Sequence, residues 1–434
     1  MMTGWMAVVW MATAAVLFLF LCPTVRADVV PGEVIDKGNS EKVEGLVPDF
    51  VLAWVKSGDL TMKIGELKFD PTRFWSREIL DNWESNAGRY LVDDNNGIID
   101  KTTGKPARGI KGFPFPKVDP NDPKMPLMLM WNRQFVEYFL QGNIRERQYW
   151  LSVTRGGLEK TYIMENLSMV LDPAKSEQDY AQISVFREPF NMAGTGSLAI
   201  YPLCPLQQGI RYAYATELRR VKRLSHRLSG SDVMFGLDQA PDDSWAGGPK
   251  TNMEEGTYRF LGEREALVPY TAETPLYVEF NDKGSIDMSP ARTGLMYRPG
   301  FETEGWTGAP WHLTNIIWVK TRVYVIESRS RDPNYGYGPC EGWIEKGTFV
   351  GAYKRITDPN GKLWKGVYWP NHAAGTRDGR FGLIDSFAAV VVDLRRDHGS
   401  CFPYPYYRGG SKEIMIQDMN ANLFTSAGFV QFTK

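Results

Sequence analysis

Hydrophobic positions recur with two different periods along this chain, and the change comes near Gly142. Ahead of that point Phe74, Trp75, Ile79, Leu80 and Trp83 are spaced as on one side of a helix. This predicts a helix over 72–86, capped by Thr72 and stopped by Gly88. A second helix is predicted over 127–140, where Met128, Met130, Trp131, Phe135, Tyr138 and Phe139 form a stripe suited to a core or to an adaptable contact with a lipid chain. Beyond Gly142 the period is two. Residues 147–154, 161–170, 180–187, 197–203 and 211–224 read as successive strands of an antiparallel meander, and strands resume at 257–270 and 316–328. Residues 348–357 and 362–368 flank Asp358-Pro-Asn-Gly361, whose Asn-Gly pair favours the positive φ of a tight hairpin. The stretch 387–394 is apolar on both sides through Val390, Val391 and Val392, which implies cover on each face. The tail after Asp418 reads as extended or irregular.

Two stretches bear on binding. Tyr212, Tyr214 and Thr216 alternate with Ala213, Ala215 and Glu217, and Arg219, Arg220, Lys222 and Arg223 follow directly. A strand with tyrosines on one face and a cationic end suits the wall of an apolar site, and it equally suits a charged end that discourages edge pairing. In 316–328, Ile317, Val319, Val323 and Val325 take one face, while Trp318, Lys320, Arg322 and Tyr324 take the other. A long loop, 230–256, contains Asp232, Asp238, Asp242 and Asp243 and reads either as a lid or as a solvated connection.

The 434 residues, 43% of them hydrophobic, can bury a large core. Fifty basic against 51 acidic residues leave no cationic field for nucleic acid, and an aromatic content of 13% leans toward strands. The apolar run from Trp5 to Cys22, followed by Pro23 and then Val25-Arg26-Ala27, reads as an export signal cut after Ala27. The run is also long enough to remain as an uncleaved anchor. Export permits a disulfide, and Cys340 with Cys401, both read as lying in loops, is the expected pair, with Cys204 left over. The histidines at 226, 312, 372 and 398 lack metal-ligand spacing, and no nucleophile elbow or phosphate loop is present, so no catalytic residue, metal or cofactor is expected. Asp93-Asp94-Asn95-Asn96-Gly97 is read as a turn, because Val92 and Thr103 would occupy the carboxylate positions of a calcium loop.

Several motifs recur in one order: Gly112-Phe-Pro-Phe-Pro116 with Trp131-Asn132, Tyr201-Pro-Leu203, Arg219-Arg-Val-Lys-Arg223, Phe260-Leu-Gly262 with Val268-Pro-Tyr270, Val325-Ile-Glu327 and Gly361-Lys-Leu-Trp364. Together they resemble a family of exported Gram-negative proteins with a domain of unknown function, often described as outer-membrane lipoprotein-sorting-like. The resemblance implies a LolA/LolB-like fold: mainly β with some α, a strongly curved antiparallel sheet forming an incomplete barrel, covering helices and an apolar cavity. The domains would then be an export signal (1–27), an N-terminal segment with one helix (28–108) and a curved-sheet domain (109–434). The resemblance brings no catalytic residues. It implies a location at the periplasm or outer membrane, with an outer-membrane β-barrel protein and an inner-membrane transporter as candidate partners.

The reading that follows is a non-catalytic carrier of a lipid or other hydrophobic compound, working with envelope transport machinery. Its expected ligand-wall residues are Tyr212, Tyr214, Trp318 and Tyr324, and Arg219, Arg220 and Arg223 would meet an anionic head group or a partner. The alternatives are an exported polysaccharide hydrolase using loop carboxylates, Asp242 with Asp243 or Glu263 with Glu265, and a periplasmic adaptor without ligand.

Overall fold

The computed structural model describes residues 28–202, 209–216, 220–224, 237–243, 256–386 and 388–434. Its main strands, in chain order, are β1 (Ile144–Thr154), β2 (Gly157–Val170), β3 (Tyr180–Glu188), β4 (Gly196–Tyr201), β5 (Ile210–Ala215), β6 (Arg220–Arg223), β7 (Gly256–Tyr270), β8 (Ile317–Ser330), β9 (Cys340–Glu345), β10 (Gly351–Thr357), β11 (Leu363–Tyr368), β12 (Ala389–Asp393) and β13 (His398–Tyr404). Their spatial order is β6-β5-β4-β3-β2-β1-β13-β12-β11-β10-β9-β8-β7, with every neighbour antiparallel. Two meanders are thus joined where β1 meets β13, with Ser152 opposite Ser400 and Leu151 opposite Cys401. Among the described residues the sheet does not close on itself. Short strands extend it: Met62–Gly65 runs parallel to β8, and Asn371–Gly375 meets β7 at Tyr270.

Strands β6 and β7 follow one another in sequence yet form opposite ends of this array. At about 4.8 Å per strand, the ends are on the order of 50–60 Å apart measured along the sheet. The chain between them therefore has to cross the sheet or pass around it, and this connection positions the candidate site.

Three helices come from the N-terminal part. α1 (Asp49–Ser57) buries Phe50, Val51, Trp54 and Val55, the i, i+1, i+4 stripe of a one-sided helix, and ends at Gly58, whose φ of 81° suits a residue without a side chain. It packs on β10 and β11, with Trp54 and Tyr368 rings 6.3 Å apart. The fit is close at Gly366, where an added Cβ would stand 2.5 Å from the Phe50 ring. α2 (Arg77–Asn86) is capped by Ser76, which accepts a bond from Ile79 N at 3.3 Å. α3 (Met125–Tyr138) contacts β7 and the strand Gly382–Ser386. The last helix, α4 (Ser426–Thr433), brings Phe429 and Phe432 onto β2–β5 beside Leu167, Ile183 and Leu198, a cluster separate from the main core.

Four sequence expectations need correction. The segment before residue 109 holds two α-helices, since the apolar stretch near 46–55 is α1. The second helix starts after Ser76 and not at Thr72, because Ser76 N bonds to Gly382 O at 3.0 Å and docks the preceding residues against that strand. Within the expected strand 211–224 the chain forms two paired strands, β5 and β6, with Tyr214 opposite Val221, and not one strand. The tail is helical, capped by Thr425, which accepts from Gly428 N at 3.1 Å. The meander, the Asn-Gly hairpin, the two-sided burial of β12 and the turn at 93–97 match the expectations. The expected leader, 1–27, lies outside the described residues, as do Cys204, Arg219 and His226.

Phe50→Ala removes the ring that fills the space above Gly366. It should destabilise the fold by about 3–5 kcal/mol, read as a lower urea midpoint with an unchanged slope.

Candidate ligand-binding face

In an antiparallel ladder, residues directly opposite one another point to the same face. The register Lys354–Val367–Val391–Ser400–Ser152, beside Ile356–Lys365–Asp393–His398, therefore draws one face of the second meander. The opposite face runs Tyr353–Tyr368–Val390–Cys401–Leu151 and lies under α1. One side is apolar, and the other carries two lysines, a histidine and two serines in nearly full burial.

Lying on the polar face is Leu237–Asp243, the described piece of the connection between β6 and β7. Apart from the short 3-10 turn Pro241–Asp243, it belongs to no helix or strand. Its backbone is held by side chains of the sheet. Lys365 Nζ donates to Asp238 O at 2.5 Å, Lys354 Nζ donates to Asp242 O, and Ser400 Oγ accepts from Asp238 N at 2.8 Å. Its carboxylates are engaged as well. Asp243 pairs with Lys365 at 2.8 Å, with both side chains 0% exposed, and Asp242 accepts from Tyr335 OH at 2.5 Å. Lys365 gives a further bond to Tyr337 OH at 2.7 Å and lies over the rings of Tyr337 and Trp364, 5.1 and 5.3 Å from their centres. Burial, reinforced by the adjacent carboxylates, pushes the Tyr335 and Tyr337 hydroxyls far above their ordinary values, so both stay protonated and donate. Burial also lifts the nearby Cys340 thiol to about 11, which leaves it unreactive at neutral pH.

At the other end of the segment, Asp238 Oδ2 lies 2.5 Å from His398 Nδ1, and His398 Nε2 lies 3.3 Å from Ser152 Oγ. That succession of groups has the order of a hydrolytic triad. However, Ser152 is 1% exposed near the C-terminal end of β1, and its hydroxyl donates to Glu159 at 2.8 Å instead of to the imidazole. No electrophilic carbonyl could approach such an oxygen, and the proton is already committed elsewhere. Desolvation raises the Asp238 carboxyl, while His398, Ser400 and Arg396 pull it back down. The cluster is a clasp fastening the segment to β1 and β13.

The residues expected from sequence do not converge. Tyr212 and Tyr214 are half-buried against the cluster under α4. Trp318 and Tyr324 belong to the main core, with Trp318 6.4 Å from the Tyr368 ring and Tyr324 6.1 Å from Phe260. The four form no common wall. Arg220 and Arg223 are exposed on the edge strand β6. Asp242 and Asp243, considered as a hydrolytic pair, are held as above, and Glu263 is paired with Arg322 and Lys346 at the surface. The expected bond between Cys340 and Cys401 is absent, and both are free and buried. Both lie in strands, β9 and β13, with β10, β11 and β12 between them and on opposite faces of the sheet, far beyond the reach of a disulfide. What the sequence reading missed is the pair Lys354 and Lys365. The available signal was a lysine at the centre of each arm of the hairpin, on the alternation shared with Ile356 and Val367.

A family model described as "Protein of unknown function (DUF1329)" matches residues 34–427. The chain belongs to that family. A search of curated proteins found no match. Among solved structures, this DUF1329 chain is similar to a putative outer membrane lipoprotein-sorting protein domain from Vibrio parahaemolyticus (14% identity, TM-score 0.44, covering 70% of this chain and 97% of that one). A DUF1329 family protein from Desulfovibrio piger gives 14% identity, a TM-score of 0.44 and coverage of 69% and 95%. A LolA superfamily protein from Nitrosomonas europaea gives 13%, 0.40, and 70% and 98%. No helix among the described residues of this DUF1329 chain is long and apolar enough to cross a membrane.

Removing one member of a buried ion pair strands the other. Lys365→Met should therefore lower unfolding free energy by about 3–5 kcal/mol, and adding Asp243→Leu should restore much of it, measured by chemical denaturation. A second expectation concerns acid. Burial depresses the His312 ring to about 3 and the His372 ring to about 4. Because each value lies below that of the unfolded chain, the stability they contribute is complete above about pH 6.5 and drains away as pH falls toward 4 and then 3. Melting temperatures between pH 7 and pH 4 should decline, less steeply in His312→Leu.

Proposed function

We propose that this protein is a non-catalytic carrier of a lipid or other hydrophobic compound, exported to the periplasm or held at the outer membrane. The observation behind this reading is that one sheet face receives a stretch of irregular chain, Leu237–Asp243, as a bed receives a guest. Apolar side chains such as Ile356, Val367 and Val391 lie on the same face as the polar anchor points. A surface of that kind can hold an amphiphile by burial at roughly 25 cal/mol per Å² of apolar area without any reaction. The commitment of Ser152 to Glu159, and of Asp243 to Lys365, weighs against hydrolysis. Arg220 and Arg223 on β6 are the proposed contacts with an anionic membrane surface or an envelope partner, and an outer-membrane barrel and an inner-membrane transporter are the partners proposed.

The protein purified from an envelope fraction should release a lipid or similar apolar compound on organic extraction, seen by mass spectrometry at near one per chain. An empty protein that co-purifies with an outer-membrane barrel would replace the carrier with an adaptor.

A further inference from the structure

We infer that Lys354 and Lys365, with Tyr335 and Tyr337, form a seat for the carboxylate head of a long-chain acid, and that Leu237–Asp243 is the protein's own occupant of that seat, moved aside when such a ligand binds. The inference rests on the carrier reading and names its ligand class.

Three observations carry it. The Lys365 ammonium is fully buried, and two of its three hydrogen bonds, to Asp238 O and the Asp243 carboxylate, go to a segment that is neither helix nor strand over most of its length. A fixed charge is costly to bury unless it is paired, and here most of the pairing comes from a segment outside the regular structure. Secondly, the match between segment and seat is incomplete, because the second carboxylate oxygen of Asp243 is buried and meets no donor among the described residues. Thirdly, buried apolar side chains share that face with the anchors, Val367 opposite Lys354, Ile356 opposite Lys365 and Val391 beside Val367, so a head group held there would have apolar neighbours for its chain.

The exchange is balanced in charge. A ligand carboxylate can take over the bonds of Lys365 and Tyr337 as Asp243 leaves, so that the ammonium is never left bare. The acyl chain then adds burial that the departing segment does not match. A neutral head group offers nothing to the ammonium and would strand it once Asp243 is gone. Preference for an acid over the matching alcohol is therefore the signature of the seat.

The test uses the delipidated full chain and the fluorescent fatty acid cis-parinaric acid, competed by palmitate or by hexadecanol. Palmitate should displace the probe at least tenfold more effectively than hexadecanol. Hydrogen exchange should speed up on palmitate binding in the peptide containing the amides of Asp238, Ala240 and Asp243, which are bonded within the seated segment and to Ser400. Asp243→Asn, which weakens the resident competitor, should bind palmitate severalfold more tightly. The double variant Lys365→Met with Asp243→Leu should lose the preference for acid while still binding the alcohol. Equal competition by palmitate and hexadecanol in the unaltered protein would overturn the seat and leave the carrier standing. Selective binding of palmitate with unchanged exchange in the segment would also overturn it, since the head group would then sit elsewhere. A chain that binds neither probe nor competitor would remove the carrier reading and the seat with it.

Discussion

A polypeptide that crosses the face of a β-sheet takes its peptide groups out of water, and every N–H and C=O along the way must find a partner inside the protein. This constraint shapes the molecule. Because β6 and β7 are consecutive in sequence but occupy opposite ends of the array, the chain between them meets the sheet in the middle, at Leu237–Asp243. The sheet there is not the apolar, largely aromatic surface that its other side presents to α1. It supplies the Lys354 and Lys365 ammonium groups to carbonyl oxygens and Ser400 to an amide.

The two faces of the second meander divide the work accordingly. Under α1, Tyr353 and Tyr368 pack against Phe50 and Trp54 in edge-on aromatic contacts, an arrangement that favours rigidity and depends on shape. On the reverse, charges and hydrogen bonds are matched in a dry setting, where each group is tolerated while paired and strongly destabilising alone. The first face resists change, whereas the second can accept a substitute that presents the same groups.

The strand pattern was readable because alternation survives in one-dimensional form. β7, β8 and the Asn-Gly hairpin fall within a few residues of where period and turn chemistry place them. Helix boundaries were harder, since Thr72 and Ser76 both satisfy the local capping rule, and the structure uses Ser76, whose backbone N–H also docks on Gly382 O across some three hundred positions. The binding face was least legible. Tyr212 and Trp318 stand out by residue type, but sheet order sends them to different cores, and only the register of β10, β11 and β13 brings Lys354, Lys365 and His398 to one surface. The cysteines mislead for a related reason: their sequence surroundings suggest loops, whereas the ladder assigns them to opposite sides of the sheet.

The helix α4 is the cover for the outer side of β2–β5, fastened where Arg187 donates to Phe432 O at 2.9 Å. It follows every strand in the chain, so during synthesis the first meander is complete long before Phe429 reaches it. Until then Leu167, Ile183 and Leu198 face water, a greasy patch on a nascent sheet, and that interval is when a holding chaperone has most to offer this polypeptide.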